Sequence, residues 1–185
     1  GLKTTALIAM FAYFAAQGVV WANLFLIGLA GGLSEQEVAN GLTMSQFAGI
    51  AGALLAAALS NRFGRSRPLT IGIVGGAVCL WFIVGEFSFL VFAAAVGVYN
   101  FAWNLTHPFL LAAMGSFDLG GRVVVYAVAA QMIGLAVGPA LAAAVLGDND
   151  FVSVNILGAA LFGASLILIL PAVLANRIER RLEEV

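Results

Sequence analysis

Charge is the first thing this chain lacks. Only 9% of its 185 residues are Asp, Glu, Lys or Arg, against about a quarter in soluble domains. A surface so poor in charge cannot be kept wet, so a soluble globular domain is excluded. Cysteine is nearly absent as well. Cys79 stands alone inside an apolar block, which rules out an intrachain disulfide and a cysteine metal cluster. His107 is the one histidine, and every Asp lies in a gap between apolar blocks. No Ser–His–Asp set can therefore be assembled at depth, and one His with one Cys cannot build a metal site. An enzyme, a resident metal and a cofactor are all unexpected. The few bases are scattered and do not gather on one face, which argues against a nucleic-acid partner.

What remains is apolar. Residues of hydrophobic type make up 63% of the chain, and the mean hydropathy is +1.07. They fall into blocks of about 20, the length a helix needs to cross a bilayer. The blocks give six spans at about 5–29, 37–60, 69–84, 89–113, 123–146 and 151–175. The first block is too long for the apolar core of a signal peptide. Ser34-Glu35-Gln36-Glu37 reads as a capping box opening the second helix. Pro68 suits the first turn of the third, where its missing N–H costs nothing.

The eight Lys and Arg residues occupy alternate gaps. Lys3 precedes the first block. Arg62, Arg65 and Arg67 follow the second, Arg122 follows the fourth, and Arg177, Arg180 and Arg181 follow the sixth. The other gaps hold Glu35, Glu37, Glu86, Asp148 and Asp150 with no base. Basic residues flanking spans are retained on the cytoplasmic side, so both termini are expected inside. The expected setting is the cytoplasmic (inner) membrane of a bacterium, with lipid as the surrounding partner. Glycines four apart (Gly28 and Gly32, Gly72 and Gly76, Gly134 and Gly138) mark expected helix-packing seams.

One loop carries a resemblance. Asn61-Arg62-Phe63-Gly64-Arg65-Ser66-Arg67-Pro68 is similar to the D-R-x-G-R-R loop of the major facilitator superfamily, which joins the second and third helices of each six-helix half. Gly64 permits the tight turn, and Arg62, Arg65 and Arg67 suit the cytoplasmic headgroups. Asn61 stands where the family has Asp, a change more typical of the second copy of the loop. Phe14 to Trp21, Ile27 to Ala30 and the Gly-Leu-Ser-Glu loop resemble the family's seventh helix. Asp118, Gly121-Arg122 and the run Gly134 to Pro139 resemble the approach to and body of its eleventh. The Gly-Pro run also resembles the antiporter motif of the fifth helix.

The resemblance covers essentially the whole chain. It implies an all-α membrane protein, six transmembrane helices as two three-helix inverted repeats. It implies a secondary transporter of a small solute working by alternating access. This chain would be the C-terminal six-helix half, partnered by the N-terminal half of the same polypeptide. Chain that begins with Gly rather than Met fits residues missing upstream. The alternative is a self-contained six-helix channel or structural subunit acting as a homodimer.

Polar residues inside a bilayer are costly, so they mark candidate sites. The fourth span has Asn100, Asn104 and His107, spaced to share one face, with Trp103 beside them and Pro108 after them. The first span has Tyr13, Gln17 and Trp21 at the same spacing, and the fifth has Gln131. The resemblance implies that the first and fourth helices line a central cavity, and the two richest polar stripes fall there. The competing reading is that these groups bond helix to helix and bind nothing; for Gln131 the two readings weigh equally. Asn23 and Asn155, near span ends, are read as structural, and Trp81 as an interface-belt residue. His107 is the candidate carrier of a coupling proton. A neutral polar lining with two Trp and no buried Arg favours a neutral or weakly charged solute.

Overall fold

A computed structural model describes residues 1–60, 62, 64–118, 120–147 and 151–183, with the side chains of 177 and 179–183 left aside. Asn61 of the inner-loop motif and the turn Asp148, Asn149 and Asp150 lie outside the described residues, as do the side chains of Arg177, Arg180 and Arg181. The described chain is helical, with no strand. Its elements are α1 (Leu2–Trp21), α2 (Leu24–Ala30), α3 (Glu35–Leu59), α4 (Ser66–Cys79), a 3-10 turn (Leu80–Phe82), α5 (Phe89–Ser116), α6 (Arg122–Val145) and α7 (Val152–Glu183).

Among the described residues, five helices are long and apolar enough to cross a membrane: α1, α3, α5, α6 and the Val152–Asn176 part of α7. Ser66–Phe82 is apolar but shorter. At about 1.5 Å per residue it reaches roughly 25 Å, a little under the hydrocarbon thickness of about 30 Å. Large apolar side chains point outward from the bundle, among them Leu90 at 75% exposure and Phe47 at 70%. Water would not tolerate so continuous an apolar surface, and lipid does.

Local sequence explains the helix ends. The capping box forms as expected. The Glu37 amide donates to Ser34 Oγ at 3.3 Å, and the Ser34 amide donates to Glu37 Oε2 at 2.9 Å. Ser88 does the same for α5, accepting from the Val91 amide at 3.4 Å. Gly64 adopts φ +70, the left-handed turn expected of the basic loop. Asp118 opens α6: its carboxylate accepts from the amides of Gly120 at 3.1 Å and Arg122 at 3.0 Å.

The first apolar block departs from the single helix expected over 5–29. It is broken at Ala22–Asn23 into α1 and α2. Asn23 Nδ2 donates back to the Val19 carbonyl at 2.8 Å. The side chain thus satisfies a main-chain group in the last turn of the preceding helix, which is how Asn competes with helix continuation. At the other end of the chain, α7 does not stop near 175 but continues through the charged tail to Glu183.

Packing follows a simple scheme. α1 lies most extensively against α6 and α7, α5 lies against α3 and α4, and α4 meets α7. Take α1 with α2 as the first segment, α3 the second, α4 with its 3-10 turn the third, and α5, α6 and α7 the fourth to sixth. Exchanging the first three with the last three turns the α1/α6 pair into α5/α3 and the α1/α7 pair into α5/α4, and leaves α4/α7 unchanged. The packing therefore has the pattern of two three-helix repeats. α1 and α5 are the most buried of the five long helices.

Glycine makes the two main seams. A Cβ placed on Gly138 of α6 would lie 2.4 Å from the carbonyl carbon of Gly18 in α1. One on Gly134 would lie 2.7 Å from the Phe11 carbonyl oxygen, and one on Gly52 of α3 would lie 2.3 Å from the Phe101 carbonyl oxygen of α5. The helices thus meet backbone to backbone, the close approach that holds bundles together in lipid. Pro139 has no amide to give the carbonyl of Leu135, four residues earlier. A Cβ on Gly18 would sit 2.5 Å from that freed oxygen.

Gly72 and Gly28 are also packing positions, against Thr106 and against Val38 and Phe92. Gly32 is not. It has φ +91 and open space around it, so it serves the turn after α2 and no seam. The pairing of Gly28 with Gly32 fails for that reason. The larger seam on α3, through Gly41, Ser45, Gly49, Gly52 and Ala56, was not anticipated.

Two consequences can be measured. Overpacking a core typically costs about 1–3 kcal/mol, and Gly138→Ala meets main chain that cannot swing aside, so a loss of about 3 kcal/mol is expected in thermal unfolding of the nanodisc-embedded protein. Gly163→Ala, with nothing within 4 Å, is expected to be neutral or stabilising by up to about 1 kcal/mol. The second concerns Asp118. The Gly120 amide, and then the amides of Arg122 and Val123 and the Lys3 charge, outweigh desolvation and hold its carboxyl below the usual carboxylate range. A depressed folded pKa contributes stability above the unfolded value of about 3.9 and loses it as pH falls through the folded one. The melting temperature should drop over that acidic window, and Asp118→Asn should remove that part of the pH profile.

Candidate functional site

The polar stripe of α1 points into the bundle. Gln17 is 1% exposed and Tyr13 is buried beside it. The Tyr99 hydroxyl of α5 donates to Gln17 Oε1 and lies 3.4 Å from the Gln17 main-chain oxygen. The Tyr13 hydroxyl faces the side chains of Thr106 and Gln17. Thr106 donates to the Ala102 carbonyl at 2.7 Å. Phe162 of α7 meets the rings of Tyr13 and Tyr99 edge-on, at 5.4 and 6.5 Å between centroids. Every polar atom named here has a partner within the bundle. Tyr13 and Gln17 thus act as glue between α1 and α5 in this conformation.

Asn100 and Asn104 form a second cluster, against α3. Asn104 Nδ2 donates to Asn100 Oδ1 at 2.8 Å and to the Asn100 carbonyl at 2.9 Å. Asn100 Nδ2 donates to Ser45 Oγ at 3.2 Å, and Ser45 Oγ donates to the Leu42 carbonyl at 2.7 Å. Gly49 makes room for this chain. A Cβ there would lie 2.8 Å from Asn104 Nδ2 and 2.9 Å from Asn100 Oδ1. Asn100 is buried and Asn104 half-buried. Asn104 borders a groove of about 410 Å³ shared with Gln46, Gly49, Ile50, Ala53 and Leu54.

His107 takes a different partner. Its Nε2 is 3.0 Å from Gln131 Oε1 of α6, and its ring meets Phe14 of α1 edge-on at 5.1 Å. Since an amide oxygen only accepts, the imidazole nitrogen facing it is the donor. The stripe Asn100, Asn104 and His107 is therefore divided. α5 packs closely on α3 and touches α6 only lightly, and its first two polar residues bond towards α3 while the third bonds to α6. Helical spacing placed them on one face, but the flanking helices split that face.

The two tryptophans come together. Trp21 and Trp103 meet edge-on at 5.8 Å, and Trp103 meets Tyr99 at 6.3 Å. With Phe162 they make an aromatic file that runs from the interior to Trp21, which is 39% exposed. Of the eight cavity candidates, Tyr13, Gln17, Asn100 and Gln131 are buried. Trp21 is exposed, and Trp103, Asn104 and His107 are half-buried. Tyr99, Ser45, Thr106 and Gln46 were missed. The signal for Ser45 was present: Gly41, Ser45 and Gly49 repeat at spacing four, which marks a seam in which the serine must face a neighbour. Tyr99 likewise stands four before Trp103.

In the inner loop, Arg62 and Arg67 are exposed and Arg65 is partly buried. Asn155 keeps its structural reading. Asn155 Nδ2 donates to the carbonyls of Leu80 at 3.3 Å and Ile83 at 3.1 Å, closing the end of the third segment. Trp81 is exposed near that end.

The chain matches the family model described as Major Facilitator Superfamily over residues 6–184. No curated protein and no solved structure gives a match.

The Tyr99–Gln17 bond is open to test. Tyr99→Phe leaves Gln17 Oε1 buried with one partner fewer. A loss of about 1 kcal/mol is expected, between the ~0.6 average for bonds across membrane helices and the ~3 upper value for a stranded buried group. Thermal unfolding of the variant checks it, with no loss expected for the exposed Tyr126→Phe.

Proposed function

The chain belongs to the major facilitator superfamily, whose members are multi-pass membrane transporters, and from that premise we propose that it supplies one six-helix half of a secondary carrier working by alternating access. The observation that carries this reading is the exchange symmetry of the helix packing, in which α1 and α5 hold equivalent central places. In a carrier the solute sits near the midplane, between halves that rock about it. The wall contributed here is formed by the groups that reach the bundle surface: Trp21, Trp103, Asn104 and His107. Gln17, Tyr13, Asn100 and Gln131 stand behind them and hold them in place.

The second half is another six-helix unit of the same polypeptide, and the compartment is the cytoplasmic (inner) membrane, with the Arg62–Arg67 loop inside. Solute recognition rests on neutral polar atoms and aromatic faces, which suits a neutral or weakly charged small molecule. Among the charged positions none falls at mid-span depth, so His107 is the candidate for a coupling proton.

Single-cysteine accessibility tests the reading without a known solute. Cys79 is buried and is first replaced by Ala. Asn104→Cys and Trp103→Cys should then react with a charged, membrane-impermeant thiol reagent, because a cavity wall is wet. Ile167→Cys, whose side chain is 73% exposed on α7, should stay inert because it faces lipid. Gly64→Cys and Gly85→Cys should be labelled from opposite sides of the membrane. Positions 103 and 104 as inert as 167, or both loops on one side, would sink the proposal.

A further inference from the structure

The hydrogen bonds that reach the α3/α5 groove run in one direction, and the direction has a chemical meaning. They begin at the Leu42 main-chain carbonyl, which can only accept. Ser45 Oγ lies 2.7 Å from it and must spend its single proton there. Having no proton left, Ser45 Oγ must accept from its other neighbour, so Asn100 presents its NH₂ to it at 3.2 Å. That turns Asn100 Oδ1 towards Asn104, which must answer with its own NH₂ at 2.8 Å. Both Asn104 amide hydrogens are then engaged by Asn100 Oδ1 and the Asn100 carbonyl, and Nδ2 is pressed against Gly49. Asn104 Oδ1 is the atom left for the groove.

Gln46 lines the same groove. Gln46 Nε2 gives one amide hydrogen to the same Leu42 carbonyl at 3.3 Å, which leaves its oxygen and its second N–H unengaged. Pro108 carries no amide, so the Asn104 main-chain carbonyl has no helical donor four residues ahead. The rest of the lining is Gly49, Ile50, Ala53 and Leu54. The groove thus meets a solute with an acceptor at Asn104 and with an amide that can turn either end at Gln46; it is apolar along one side, and its lining holds no carboxylate to balance a full positive charge.

We infer that the α3/α5 groove, lined by Gln46 and Asn104, is a subsite for a neutral solute that brings hydrogen-bond donors, hydroxyl or amide N–H, next to an apolar flank. The inference rests on the carrier reading above and narrows its solute class. Ser45 is a positioning residue. It touches no solute, yet it dictates which end of Asn104 the solute meets. At Asn104 a carboxylate or ether would bring an acceptor against an acceptor and leave both desolvated and unpaired, so the preference for donors is set there.

The test uses matched soluble probes on the full chain in nanodiscs, read by ligand-observed NMR with empty nanodiscs subtracted. The pairs are phenyl β-glucoside with its tetra-O-methyl ether, and 2-phenylacetamide with its N,N-dimethyl derivative. The donor-bearing member should bind roughly fivefold to tenfold more tightly, the ratio that one or two net hydrogen bonds supply. Gln46→Leu, an exposed position bonded only to its own helix, should remove most of that advantage. Ser45→Ala should leave binding in place but erase the preference, because Asn100 and Asn104 are then free to turn over.

Methylated probes that bind wild type as well as their parents, with both weakened by Gln46→Leu, would overturn the donor rule and leave the groove as a site. A preference that survives Ser45→Ala would overturn the role given to the Leu42 anchor. If no pair distinguishes wild type from Gln46→Leu, the subsite falls, while wet labelling at positions 103 and 104 would still decide the carrier reading separately.

Discussion

Close approach of backbones at two small-residue seams is the constraint on which the structure depends. In lipid, burying an apolar side chain against another helix gains little over leaving it against acyl chains. Contact density and polar bonds must do the work, and both need the helix axes near one another. Gly18, Gly134 and Gly138 bring α1 and α6 together, and Gly41, Ser45, Gly49 and Gly52 bring α3 and α5 together. These are the same seam in the two halves of the exchange symmetry. Where a seam is tight, side chains in it or beside it can hydrogen-bond across it. Ser45 reaches Asn100 in the α3/α5 seam, and His107 reaches Gln131 on α6, which the other seam holds in position.

Polarity inside the bundle is handled in two ways. Some groups close on themselves: Tyr99 with Gln17, Ser165 with the Ala9 carbonyl at 2.8 Å, and Asn176 with Ser116 at 2.8 Å. These tie α1, α5 and α7 and leave nothing for a ligand. Others form an open chain anchored at one end by a carbonyl, as Leu42, Ser45, Asn100 and Asn104 do. Only an open chain can present a defined atom at a surface, and its anchor decides which atom that is. The contrast separates the glue residues from the candidates for recognition, although all are Asn, Gln, Ser or Tyr.

Prolines and the one break in the first span show how the backbone is spent. Pro108 and Pro139 lie inside α5 and α6 without ending them. Each frees a carbonyl one turn earlier. At Leu135 that oxygen faces Gly18, and at Asn104 it belongs to a residue of the groove. In lipid such freed groups persist only where protein or a water-filled space takes them up. Asn23, at the break between α1 and α2, returns its side-chain amide to the Val19 carbonyl and so satisfies one group that the break would leave open.

Much of this was legible in the residues. The apolar blocks gave the helical, multi-pass character, scarce charge gave the membrane, Ser34 and Glu37 gave the α3 cap, and Gly64 gave the tight inner turn; the blocks did not show that the first would break at Ala22–Asn23 or that the third would be short. These are local properties: a cap needs four residues, and an apolar run needs only its own length. The polar stripes were also legible, because helical spacing alone puts Asn100, Asn104 and His107 on one side. What that spacing could not say was which neighbour each would meet. That the stripe divides between α3 and α6, that Tyr13 and Gln17 turn inward to α5, and that Asn104 joins Asn100 and Ser45 at the groove depended on where three other helices lie. Those positions are set by glycine contacts between segments far apart in the chain, and no local pattern encodes them.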